Sequence, residues 1–140
     1  AIALATRNRD ALDLQERVEL IECDLVEGLP AELAQSFSVL VSNPPYIPTS
    51  VLEQEVPAEV KGFEPELALD GGEDGLDVYR RLLEAAPHML LPGGILCVEL
   101  YEGHLDKAVH LAEQQGVWES VEVKEDLTHR PRILVARLAK

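Results

Sequence analysis

Basic residues are scarce in this 140-residue chain: 12 Lys and Arg stand against 26 Asp and Glu, a formal net charge of −14. Such an excess repels a phosphate backbone and counts against direct binding of nucleic acid. Cysteine is scarcer still. Cys23 and Cys97 are the only two, neither sits in a CxxC pair, and both are expected as buried free thiols within strands. His88, His104, His110 and His129 have no zinc-ligand spacing, so no metal is expected. No apolar run is long enough to cross a membrane, and no signal segment, repeat or linker stands out. With 46% hydrophobic and 27% charged residues, the expectation is a soluble, cytoplasmic protein of about one domain with a real core.

The most informative stretch is Asn43-Pro44-Pro45-Tyr46, which follows the apolar segment Phe37 to Ser42 (FSVLVS). Two successive prolines cannot continue a sheet ladder and hold φ near −65°, so the strand must end in a rigid turn. In open α/β sheets, ligands bind at the carboxyl ends of the strands. The turn suits methyl transfer to a planar nitrogen. An amide or exocyclic amine delocalises its lone pair and is a poor nucleophile until its N–H groups are held by acceptors. The Asn43 side-chain oxygen and the Pro44 carbonyl could hold them, while Tyr46 lies against the face of the target. This scheme requires no general base.

Other motifs follow in order: Glu64-Pro65-Glu66-Leu67-Ala68-Leu69, Gly71-Gly72, Asp74-Gly75-Leu76-Asp77, Tyr79-Arg80, Leu91-Pro92-Gly93-Gly94, Glu99, Asp126-Leu127, Arg130 and Arg132. With Ser42 to Ile47 at their head, the chain resembles S-adenosylmethionine-dependent amino-methyltransferases of the HemK type, which modify a glutamine of peptide-chain release factors. The resemblance implies a class I methyltransferase (Rossmann-like) α/β sheet closed by an antiparallel hairpin, with strand order 3-2-1-4-5-7-6. It also implies S-adenosylmethionine as cofactor, and a release factor, modified at N5 of its GGQ glutamine, as protein substrate. The family's glycine-rich cofactor loop and the acidic residue that holds the ribose are not found upstream of Val18. Residues 1–140 are therefore expected to be a partial catalytic domain lacking strands 1 and 2. Where the family has Gly and Gln after the strand-end Glu, this chain has Tyr101 and His104.

Periodicity and breakers predict a helix over Ile2 to Leu14, a strand over Val18 to Cys23, a connection with at most one helical turn over Leu25 to Ser36, and the strand Phe37 to Ser42. A long excursion from Ile47 to Gly72 follows. Leu76, Tyr79, Leu83, Ala86 and Leu90 predict a helix with Asp74 as N-cap. A turn at Pro92-Gly93-Gly94, a strand over Ile95 to Leu100 and a helix stopped by Gly116 come next. Val121 to Leu127 and Ile133 to Leu138 predict the closing strand pair.

By the resemblance, Asn43 is the catalytic amide acceptor and also touches the cofactor. Pro44, Pro45, Tyr46, Glu64 and Pro65 bind substrate, and Asp24, ending the first strand, lies beside the adenine. Turn formation is expected of Gly71-Gly72 and Gly93-Gly94, and pairing with acidic neighbours of Arg130 and Arg132. Two other readings stay open: a nucleobase amino-methyltransferase built on the same turn, and a fragment without catalysis.

Overall fold

A computed structural model describes residues 1–54 and 65–140. It divides into two compact units, Ala1–Ala31 and Glu32–Lys140. The first unit holds helix α1, Ile2–Ala11, none of whose residues is buried. Val18 to Cys23 is not a strand. An extended segment becomes a strand only when a ladder partner satisfies its N–H and C=O groups, and none of the described residues pairs with it in a sheet. Cys23 is accordingly exposed rather than buried, and Cys97 is half-buried; both are free.

The second unit is built on a four-stranded sheet. A 3₁₀ turn at Ala31–Leu33 precedes β1, Phe37–Ser42, with the bounds expected from the sequence. Helix α2, Thr49–Gln54, and a 3₁₀ turn at Glu66–Ala68 occupy part of the excursion after it. Helix α3, Asp77–Met89, leads directly into β2, Leu90–Glu99. Helix α4, Leu105–Gln115, ends at Gly116, whose φ of 66° is the left-handed cap conformation that glycine adopts without strain. Strands β3, Trp118–Glu125, and β4, Pro131–Leu138, close the chain.

The strand order is β1-β2-β4-β3, with β1 and β2 parallel and the other two pairings antiparallel. This is the 4-5-7-6 portion of the expected order. Strand β2 begins five residues earlier than predicted, because Leu90 already pairs with Phe37 before the ladder resumes at Val39 and Ile95. The Pro92-Gly93-Gly94 turn is thus a bulge inside the strand, with Gly93 at φ 79°.

One face of the sheet carries the core. Leu96 opposes Ala136 and Val98 opposes Leu134 across β2 and β4, and all four are fully buried. Against them pack Tyr79, Leu83 and Ala86 of α3 and Leu105, Ala108 and Ala112 of α4, spaced at three and four residues so that each helix presents one stripe. Two polar contacts fasten the helices. The buried Tyr79 hydroxyl donates to the Ala108 carbonyl at 2.8 Å, and burial pushes its phenol pKa up. Pro87 has no N–H for the Leu83 carbonyl one turn earlier, and Gln115 Nε2 donates to that carbonyl at 3.0 Å instead.

The start of α3 corrects one expectation. Leu76, not Asp74, is the N-cap, and no side chain caps it. Asp74 accepts instead from the Leu76 N–H (3.3 Å), from both terminal nitrogens of Arg80 (2.9 and 2.6 Å) and from Lys107 Nζ (2.5 Å). The Arg80 and Lys107 hydrogen bonds hold its carboxyl well below the usual range.

Candidate active site at the strand ends

Strand β1 ends at Ser42, and the two prolines release the chain from the ladder as expected. Asn43 is exposed, Pro44 is buried, and Pro45 and Tyr46 are half-buried. Together with Ile47, Ala68 and Leu69, Asn43 to Tyr46 line a cavity of about 180 Å³. Four of the predicted site residues therefore share one wall.

The turn is held from behind. Ile47 N–H donates to the Leu69 carbonyl (3.1 Å), Gly71 N–H to the Ile47 carbonyl (2.8 Å), and Thr49 N–H to the Gly72 carbonyl (2.9 Å). The Asp70 carboxylate accepts from the Thr49 hydroxyl at 2.8 Å and from the Gly72 N–H at 3.0 Å. The backbones then approach so closely that side chains are excluded. A Cβ on Gly71 would lie 2.8 Å from both the Tyr46 and Gly75 Cα atoms, and one on Gly75 would lie 2.4 Å from the Tyr46 carbonyl oxygen. Gly71 is thus required for close approach to Tyr46, beyond the turn formation read from the sequence.

Of the remaining predicted residues, Pro65 is exposed and caps the 3₁₀ turn that carries Ala68, whose N–H donates to the Pro65 carbonyl at 2.8 Å. Glu64 lies outside the described residues. Asp24 belongs to the first unit, is exposed, and forms an isolated bridge with Glu27 rather than ending a strand.

A second cavity, about 530 Å³, is lined by Tyr46, Glu99, Asp126, Thr128, Arg130 and Arg132. Its position follows from strand direction. Strand β3 is antiparallel to β4, which is antiparallel to β2, which is parallel to β1. The turn after β3 must therefore return to the sheet edge where β1 ends. That inference was open to the sequence reading, which instead assigned Arg130 and Arg132 to pairing with acidic neighbours. Arg132 lies over the Tyr101 ring, 5.6 Å from its centroid. Tyr101 meets His104 edge-on at 5.2 Å, so the two departures from the family pattern pack together. Burial lowers the His104 pKa, and its buried Nδ1 has no hydrogen-bond partner among the described residues.

Asp126 shapes the hairpin turn. Its Oδ1 accepts from the Thr128 N–H (2.7 Å), the Thr128 hydroxyl (2.7 Å) and the Arg130 N–H (3.1 Å). The Thr128 hydroxyl and then the Arg130 N–H lower its pKa. Among the described residues no helix is long and apolar enough to cross a membrane.

No protein-family model matches the chain. It is 37% identical over 139 residues to the release factor glutamine methyltransferase of Clostridium acetobutylicum, covering 97% of this chain and 47% of that protein. It is 48% identical over 116 residues to that of Geobacter sulfurreducens, covering 83% of this chain and 39% of that protein. The chain thus spans less than half the length of these relatives. Among solved structures, a methyltransferase from Pyrococcus furiosus superposes with a TM-score of 0.60 at 17% identity, over 99% of this chain and 58% of the other. The E. cuniculi Mtq2–Trm112 complex, responsible for methylation of the termination factor eRF1, gives 0.55 at 22% identity, over 94% and 68%. These likenesses show the class I methyltransferase fold.

Proposed function

The chain is a homologue of the release factor glutamine methyltransferases across nearly all of its own length, and from that premise we propose that it supplies the substrate side of such an enzyme, methylating N5 of the GGQ glutamine of a release factor. The observation that carries the reading is the small cavity walled by Asn43 to Tyr46 at the carboxyl end of a parallel strand. Its size suits one carboxamide side chain.

In this reading Asn43 Oδ1 and the Pro44 carbonyl accept hydrogen bonds from the target NH2 group, fixing its plane and drawing its lone pair out of conjugation. Tyr46 lies against the amide face. The methylated amide nitrogen is strongly acidic until it loses a proton, which it gives directly to water; water reaches the exposed Asn43. S-adenosylmethionine, when bound, would supply the electrophilic methyl group. A cavity of about 180 Å³ does not also hold a nucleoside, so the fit of these residues to the cofactor is limited to Asn43 at the strand end.

The test uses a hybrid enzyme: a full-length relative in which this chain replaces the matching segment. Incubated with S-adenosylmethionine carrying a labelled methyl group, it should label a release factor and leave DNA and ribosomal RNA unlabelled. Preferential labelling of nucleic acid would overturn the reading in favour of a nucleobase amino-methyltransferase.

A further inference from the structure

We propose that the larger cavity, between Tyr46 and the β3–β4 turn, is a binding site for the peptide main chain that flanks the methylated glutamine, with Leu127 as an apolar contact to the substrate protein. The inference rests on the function proposed above and deepens it.

Continuity is the first argument. Tyr46 lines both cavities, so a chain whose glutamine enters the smaller one must run past Tyr46 into or beside the larger. The lining chemistry is the second. Glu99 and Asp126 line it together with Arg130 and Arg132, and these four formal charges sum to zero. A phosphate backbone entering there would meet two carboxylates. A neutral peptide backbone carries N–H donors and C=O acceptors in alternation, and it can use carboxylates and guanidinium groups together. Two of the four are already engaged, since Asp126 holds the turn and Arg132 lies on Tyr101. Among the described residues the Glu99 and Arg130 side chains make no hydrogen bond or ion pair, and they form the reading pair.

The rim supplies the third argument. Leu127, between cavity residues Asp126 and Thr128, is fully exposed, and Leu67, next to Ala68 of the smaller cavity, is 88% exposed. No other large apolar side chain among the described residues is as exposed as these two. A single exposed leucine is unremarkable, but one beside each of two joined cavities offers apolar surface to a protein and nothing to a phosphate backbone.

The experiment compares Arg130→Ala, Leu127→Ser and the parent hybrid enzyme on two substrates: a folded release factor, and a truncated peptide reduced to the target glutamine alone with both ends capped, which carries no flanking main chain. Both altered residues are exposed, so folding is spared. The expected result is a rise in KM for the release factor of about tenfold for Arg130→Ala, or ~1.4 kcal/mol, and a smaller rise for Leu127→Ser. The same variants should leave KM for the truncated peptide and for S-adenosylmethionine unchanged. Unchanged KM for the release factor, in an enzyme that methylates it, would overturn the binding site while leaving the proposed function intact. Labelling of nucleic acid in place of the release factor would overturn both. If turnover is too slow to measure, calorimetric titration of the hybrid with a flanked GGQ peptide decides: weaker binding to Arg130→Ala supports the site, and equal binding overturns it.

Discussion

Replacing Gly71 with Ala separates two reasons for which a glycine can be needed. Gly71 is buried and has no positive φ, so an alanine there suffers no backbone strain. The added methyl meets only backbone: Tyr46 Cα and Gly75 Cα at 2.8 Å and the Gly75 carbonyl oxygen at 2.9 Å. None of these atoms can rotate away, and overpacking of this kind costs roughly 1–3 kcal/mol. Gly116→Ala is the complementary change, with φ at 66° and open space around the new methyl; it should cost about 1–2 kcal/mol from left-handed strain alone. Gly75→Ala combines both penalties, since its φ is 74° and its methyl would meet the Tyr46 carbonyl. Unfolding of the chain in urea measures the three costs.

Turnover of the hybrid enzyme then distinguishes them. Gly71→Ala relieves its clash by displacing Tyr46, and a shift of about 1 Å in a positioning group can lower turnover by roughly 10²-fold. Gly116→Ala, at the end of α4, should leave turnover near that of the parent at temperatures where both are folded. A Gly71→Ala enzyme with normal stability and normal turnover would refute the argument that this glycine seats the turn.

Asn43→Ala in the hybrid should lower kcat by roughly 10²–10³-fold, the cost of one removed transition-state partner, with a much smaller change in cofactor affinity by titration; near-normal methylation would remove Asn43 from the site. Asp74→Asn should destabilise the chain by about 1 kcal/mol, as expected of a half-exposed pair network. Because Asp74 is held below its ordinary pKa, that contribution is complete above the ordinary carboxylate value, about 3.9. It is lost as pH falls through the lowered folded value. The difference between variant and parent in urea should therefore shrink in strong acid and stay constant from mildly acidic to neutral pH. The 140-residue chain by itself should self-associate through the edge of β1 that no described strand pairs with, and through its exposed Val39 and Val41, which sedimentation would detect. It should also show no saturable binding of S-adenosylmethionine by calorimetry; a tight one-to-one complex would refute that expectation.

What could be read from the sequence was what is decided locally. Two prolines stop β1 wherever the rest of the chain goes, and Gly116 ends α4 because its own φ allows it. The apolar spacing of α3 and α4 survives because one stripe on each is all that the sheet needs. Elements that depend on a distant partner were harder. Val18 to Cys23 has the composition of a strand and finds no ladder among the described residues, whereas Leu90 joins β2 only because Phe37 is opposite. The candidate site divides in the same way. Asn43 to Tyr46 announce themselves by their chemistry, while the need for Gly71 depends on a contact spanning twenty-five positions to Tyr46. Arg130 and Glu99 come together only through the directions of three strands.

The most direct test of the proposed activity is the position of the transferred methyl group. A release factor incubated with the hybrid enzyme and S-adenosylmethionine is digested, and its peptides are sequenced by mass spectrometry. The account predicts one methyl group on the side-chain nitrogen of the GGQ glutamine, and none when that glutamine is replaced. Methylation at lysine, arginine or a chain terminus, or undiminished methylation after the glutamine is replaced, would contradict it.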